Sequence, residues 1–124
     1  MNNIITEEKV KKYFSITEEA IRMVKMAGFD ELREEEAKDF LNMAENYFND
    51  AGHFYAKGDV VLAFAALNYA HGWLDAGARI ALFRVSDSRL FTVDEDRFDA
   101  EEAVENEVID EEEESEEPAD DEEF

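Results

Sequence analysis

Four polar residues, Asn68, His71, Asp75 and Arg79, recur at steps of three, four and four inside an otherwise apolar stretch. On a helix they fall within roughly 80° of arc at 100° per residue, so an amide, an imidazole, a carboxylate and a guanidinium share one side. That set could converge on one small ligand, a nucleotide or a protein partner. The bland alternative is a solvent face, with His71 hydrogen-bonded to Asp75 and Asp75 paired with Arg79 for a few tenths of a kcal/mol. Tyr69 and Trp73 flank this stripe away from the main apolar side, and large aromatic residues in such a position are the usual anchors of interfaces. The candidate binding residues are therefore Asn68, Tyr69, His71, Trp73, Asp75 and Arg79.

Other chemistry finds little footing. Asp50 with His53, and His71 with Asp75, each share a helix face, and together they invite a metal hypothesis. If the chain folds back at Gly58, the two pairs lie about eight residues apart, or roughly 12 Å at 1.5 Å per residue, too far to share one ion. No metal and no cofactor is expected. The absence of Cys removes disulfides, a thiolate nucleophile and thiolate-ligated zinc or iron–sulfur clusters. None of Ser15, Ser86, Ser88 and Ser115 sits in a strand-turn-helix elbow, and there is no glycine-rich phosphate loop. Acid pairs are so abundant that pairing says nothing about acid–base catalysis. The expectation is a protein that is not an enzyme.

Three helical periods must position these residues. Thr6 reads as an N-cap followed by Glu7 and Glu8, and Val10, Tyr13, Phe14, Thr17, Ala20, Ile21, Val24 and Ala27 then recur at three- and four-residue steps. Gly28 is the expected stop. A second stripe, Ala37 to Tyr55, begins at Asp30 or Glu31 behind an acidic first turn and ends at Gly58. Asp59 caps a third helix, expected to run to about Phe83, whose apolar residues cover roughly 200° of the wheel. So wide a face predicts that this helix buries more than one side, and its many Ala and Gly residues predict close helix approach or a self-association face. The short turn at Gly58 makes the second and third helices antiparallel. The expected fold is all-α, an up-and-down three-helix bundle over residues 1–85, followed over 86–124 by an acidic, largely disordered tail.

Charge marks that division. Of the 124 residues, 34 are Asp or Glu and 12 are Lys or Arg, a net of −22. Residues 1–85 hold 14 acids against 10 bases, whereas residues 86–124 hold 20 against 2. A near-neutral body favours a dedicated acidic tail over a surface adapted throughout to high salt. Arg89 to Val93 could form a short extended piece, and Ala100, Ala103, Val104 and Val108 make a weak helical stripe. From Asp110 onward too little apolar surface remains to offset the entropy of ordering. Direct binding to nucleic acid or to an anionic membrane is disfavoured, because both need Lys and Arg to displace counterions. No apolar run reaches the roughly 18 residues that cross a bilayer, and no signal peptide is visible, so cytoplasmic residence is expected.

The stretch from Lys57 to Phe83, KGDVVLAFAALNYAHGWLDAGARIALF, closes a helical hairpin with Gly-Asp and continues into Asn68, Tyr69, Ala70, Gly72, Trp73, Leu74, Asp75, Ala76 and Gly77. This signature resembles the archaeal family catalogued as domain of unknown function 357. Lys12-Tyr13-Phe14 and the Phe40-Leu41-x-Met43-Ala44 region resemble it too, so the likeness covers about residues 8–85. The resemblance implies a three-helix bundle and an archaeal cytoplasmic protein, implies no reaction, and does not extend to the acidic segment. Two functions stay open. One is a non-enzymatic protein-interaction module or scaffold, with protein partners that include basic ones through the tail and with homo-oligomers allowed. The other is a small-ligand or nucleotide-handling accessory using the polar stripe of the third helix.

Overall fold

A computed structural model of the chain describes residues 1–95 and Phe98. The rest of the acidic tail expected from the sequence, including the Ala100 to Val108 stripe, lies outside the described residues. Helix α1 spans Glu7–Ala27, α2 spans Glu34–Ala56 after a single 3-10 turn at Glu31–Arg33, and α3 spans Val60–Arg79. The bundle expected from the periodicity is the one observed, and no strand occurs among the described residues. No helix among them is long and apolar enough to cross a membrane.

Local chemistry sets each helix end. The Thr6 hydroxyl accepts from the Lys9 amide at 3.1 Å, and Glu7 and Glu8 complement the positive end of the α1 dipole. The chain then turns at Gly28, φ +91°, and at Gly58, φ +83°, backbone conformations in which a Cβ would strain the chain. The Asp59 carboxylate accepts from the Leu62 amide at 3.0 Å to start α3. Tyr55, near the end of α2, donates to Glu7 at the start of α1 at 2.8 Å, so the α1 N-terminus and the Gly58 turn share one end of the bundle.

The opposite end is closed by a latch. Asp30 is buried and caps the 3-10 turn, accepting from the Leu32 amide at 3.0 Å and from Arg33 Nε at 2.8 Å. Arg33 also donates to the Ala81 carbonyl, and the Asp30 amide donates to the Leu82 carbonyl at 2.9 Å. Phe29 and Phe83 form an antiparallel bridge beside these bonds. The α1–α2 connection is thus tied to the chain leaving α3, and a buried carboxylate has the partners its burial demands.

Helix α3 is shorter than its pattern suggests. It ends at Arg79, with Ala81 in the left-handed conformation at φ +64°. The Leu82 amide bonds the Gly77 carbonyl at 2.8 Å and the Ala81 amide bonds the Ala78 carbonyl at 3.0 Å. These are the two bonds of a Schellman ending, here with alanine at the position usually held by glycine. Phe83 then folds back over the helix. A Cβ at Gly77 would stand 2.3 Å from its ring, so the small residue serves a close approach within the chain.

The core has two parts along the bundle. Val10, Ala51, Ala63, Ala66 and Leu67 fill the Gly58 end. Ala20, Val24, Leu41, Leu74, Ala78, Leu82 and Phe83 fill the latch end, and Val85, Phe91 and Val93 join them. Packing is most extensive between α2 and α3, with α1 resting mainly on α3.

Two substitutions test the α3 ending by chemical denaturation. Gly77→Ala forces the fully buried Phe83 ring to move and is expected to cost about 2 kcal/mol. Ala81→Gly relieves the left-handed alanine and is expected to add up to about 1 kcal/mol. A neutral Gly77→Ala would contradict the packing described.

Candidate functional site

The outer surface of α3 divides along its axis. One row carries Asn68, His71, Asp75 and Arg79; the next carries Tyr69 with exposed small residues; Trp73 lies at the α2 edge. Trp73 is partly buried, edge-on to Phe40 of α2 with ring centroids 5.0 Å apart. Tyr69 is 56% exposed and stands edge-on to Tyr47 at 4.5 Å.

Three of the four polar residues hold the segment that follows the bundle. His71 Nε2 lies 2.7 Å from the Leu90 carbonyl, and since a carbonyl only accepts, Nε2 carries the proton. The Asp75 carboxylate accepts from both the amide and the hydroxyl of Thr92, the latter at 2.7 Å. Arg79 Nη1 donates to the Thr92 carbonyl at 3.3 Å. Every backbone and side-chain polar group of Thr92 is therefore engaged by α3. The expected His71–Asp75 hydrogen bond and Asp75–Arg79 ion pair do not form among the described residues, because each partner is committed to the strand of chain lying across them. Only Asn68 keeps a side chain without a hydrogen bond among the described residues.

The docked segment is a strap built to hold its own shape. Asp87 accepts from the amide, Nε and Nη2 of Arg89, at 3.0, 3.0 and 2.6 Å, and its carbonyl receives the Leu90 and Phe91 amides. The resulting turn occupies the place where an extended piece was expected. Hydrogen bonds from Arg89 hold the Asp87 carboxyl below the usual carboxylate range, and the same pair, with Glu19 of α1 contributing, raises Arg89. Phe91 stacks on His71 at 6.3 Å and is buried with Val93, and the Arg84 guanidinium lies over the buried Phe98 ring at 4.4 Å. The strap thus leaves α3, crosses its polar row beside α1 and returns. The core reaches past residue 85, where the change in charge falls.

Open concavities also occur among the described residues. A cavity of about 360 Å³ between α1 and α3 is lined by Tyr13, Ile16, Asn68, His71, Gly72 and Asp75. A second, of about 600 Å³, lies between α1 and α2, where Asn42, Asn46 and Asn49 face Ile21, Arg22 and Lys25. Its asparagine row escaped the sequence reading, although spacing of four and three is a legible helical signal. Lys25 pairs with Glu45 across it at 2.5 Å, leaving a solvated seam. Among the described residues no three His, Asp or Glu side chains gather as a metal site would require.

The chain belongs to the family described as Protein of unknown function (DUF357), whose sequence pattern matches residues 12–83. No curated protein and no solved structure matches it. The match ends at Phe83, so the ring that covers Gly77 lies inside the family region and the strap lies beyond it.

Ending the chain after Val85 should lower stability by roughly 4 kcal/mol in a urea titration, since the buried Phe91 and Val93 are lost. An unchanged midpoint would contradict their place in the core. Because the Asp87 carboxyl is held low, its contribution is present above about pH 4 and lost as pH falls through the depressed value. Hydrogen exchange at the Leu90 and Phe91 amides, corrected for intrinsic rate, should therefore rise in acid before that of α3.

Proposed function

We propose that the chain is a non-enzymatic protein-interaction module whose docking face is the outward side of α3. The observation that carries this reading is a continuous row of exposed apolar and small residues: Val61, Ala65, Tyr69, Gly72, Ala76 and Ile80, at steps of four, four, three, four and four. Val61 is 63% exposed, Tyr69 56% and Ile80 50%, with Leu62 beside them at 45%. Three of the eight large apolar residues exposed among the described ones thus lie on α3, and a fourth, Ile80, caps its end. A contiguous apolar surface of this kind is uncommon on a chain that works alone.

The row is free of carboxylates, while the neighbouring polar row is engaged with the strap. Tyr69 is steadied by Tyr47, so docking it would cost little side-chain entropy. The partner that suits this face is a protein with an apolar helix or groove and a basic rim, matched to the acidic remainder of the chain. In the full chain, Tyr69→Ser combined with Ile80→Ser is expected to reduce capture of such a partner from native lysate at least tenfold, the scale of a lost interface anchor, with the thermal midpoint nearly unchanged. Equal capture would contradict the reading.

The small-ligand alternative rests on the cavity beside Asn68. It has less support, since His71, Asp75 and Arg79 already bond the strap. A thermal-shift screen with nucleotides and divalent metals separates the two, because a ligand at 100 times its dissociation constant adds about 2.7 kcal/mol.

A further inference from the structure

The exposed row of α3 has the same spacing in both directions. From Val61 through Ala65, Tyr69, Gly72 and Ala76 to Ile80 the steps are four, four, three, four and four, symmetric about the point between Ala70 and His71. Laid against a second α3 running the opposite way about that point, Val61 faces the copy's Ile80, Ala65 faces its Ala76 and Tyr69 faces its Gly72. Large residues meet at both ends, small ones meet inside them, and each tyrosine ring meets a residue with no side chain. A two-fold interface demands this kind of match, because one patch must fit itself.

Gly72 gives a second observation. It lies exposed in the middle of α3, where glycine weakens a helix relative to alanine. Nothing among the described residues requires it: a Cβ there would meet no atom within 4 Å, and its φ is not positive. Gly77, five residues on, differs, because the Phe83 ring lies over it. The Tyr69 ring of an antiparallel copy would use the space that Gly72 leaves open.

We propose that the α3 face is covered by a second copy of the chain, packed antiparallel through α3 about a two-fold axis between Ala70 and His71. The assignment rests on the reading of this face as a docking surface and names what covers it when no other partner is bound. Area and charge set the strength of the pair. The row is about 28 Å long at 1.5 Å per residue and a helix with its side chains about 10–12 Å wide, a footprint on the order of 300 Å² per copy. A standard stable interface takes about 800 Å² from each partner, so the pair is weak and reversible. The row carries no carboxylate, which lets two chains of net −22 meet there, while the rest of their charge repels. A partner with a basic rim gains the attraction that a second copy lacks, and so displaces it.

Sedimentation equilibrium of the full chain tests the pairing, with a monomer–dimer dissociation constant expected between about 10 μM and 1 mM. Added salt is expected to strengthen association, since what it screens is repulsion between the copies; association weakened by salt would overturn the proposal. Gly72→Gln, which replaces glycine by a good helix former, is expected to raise the urea midpoint while weakening association at least about tenfold. Equal association in this variant would overturn the pairing. The lack of Cys in the chain lets the register be read directly. A short thiol crosslinker is expected to join Ala65→Cys chains to Ala76→Cys chains in a mixture and neither variant to itself, because like positions stand about 16 Å apart along the axis. Crosslinking within one variant as fast as between the two, or a chain still monomeric at about 1 mM, would overturn the proposal. If such a monomeric chain lost capture of another protein on Tyr69→Ser with Ile80→Ser, the docking face would stand and only the second copy would be withdrawn. If capture were unchanged as well, both would fall.

Discussion

The ring of Phe83 lies where the side chain of any residue other than glycine at position 77 would have to be. That contact depends on a helix that stops short. Alanine at position 81 takes the left-handed conformation at a cost of about 1–2 kcal/mol, and the chain reverses so that Phe83 and Leu82 enter the core. The reversal carries the backbone past Gly28, Phe29 and Asp30, where the latch forms, and then across the polar row of α3. Were α3 to continue to Phe83 as its apolar pattern invites, neither latch nor strap could exist.

The strap explains how a mostly apolar helix tolerates a row of polar groups. His71, Asp75 and Arg79 bond the Leu90 carbonyl and Thr92, groups that would otherwise need water beside the buried Phe91 and Val93. Hydrogen bonds between charged side chains and backbone are worth more than neutral ones, so this row adds directional hold to the apolar burial. Beside Asn68 and Arg79, the solvent side of α3 carries an uncharged row from Val61 through Tyr69 to Ala76, which is why the functional reading falls on Tyr69 and its neighbours and not on the polar set.

Much of this was legible in the sequence, and the reason is local. Thr6, Gly28, Gly58 and Asp59 are helix signals acting within one turn, and their positions follow from residue type alone. The bundle follows from three apolar stripes joined by short turns. The destination of the polar row was not legible, because spacing tells which side chains share a face but not what crosses it. Asp87 and Arg89 form a turn by contacts two residues apart, yet the pairing of Thr92 with Asp75 bridges 17 positions of sequence. The change in charge after residue 85 also drew attention from Phe91 and Val93, whose burial is set by packing. Gly77 read as one small residue among many until the Phe83 ring gave it a specific task.

The claim on which this account turns is that the polar row of α3 is an internal dock for the strap. A double-mutant cycle of Asp75→Ala with Thr92→Val, read by urea unfolding of the full chain, measures that contact with the rest of the bundle as background. The account predicts that the two substitutions together cost less than the sum of each alone, by at least about 0.5 kcal/mol. Strictly additive costs would mean that Asp75 and Thr92 do not act on each other, and the dock would have to be abandoned.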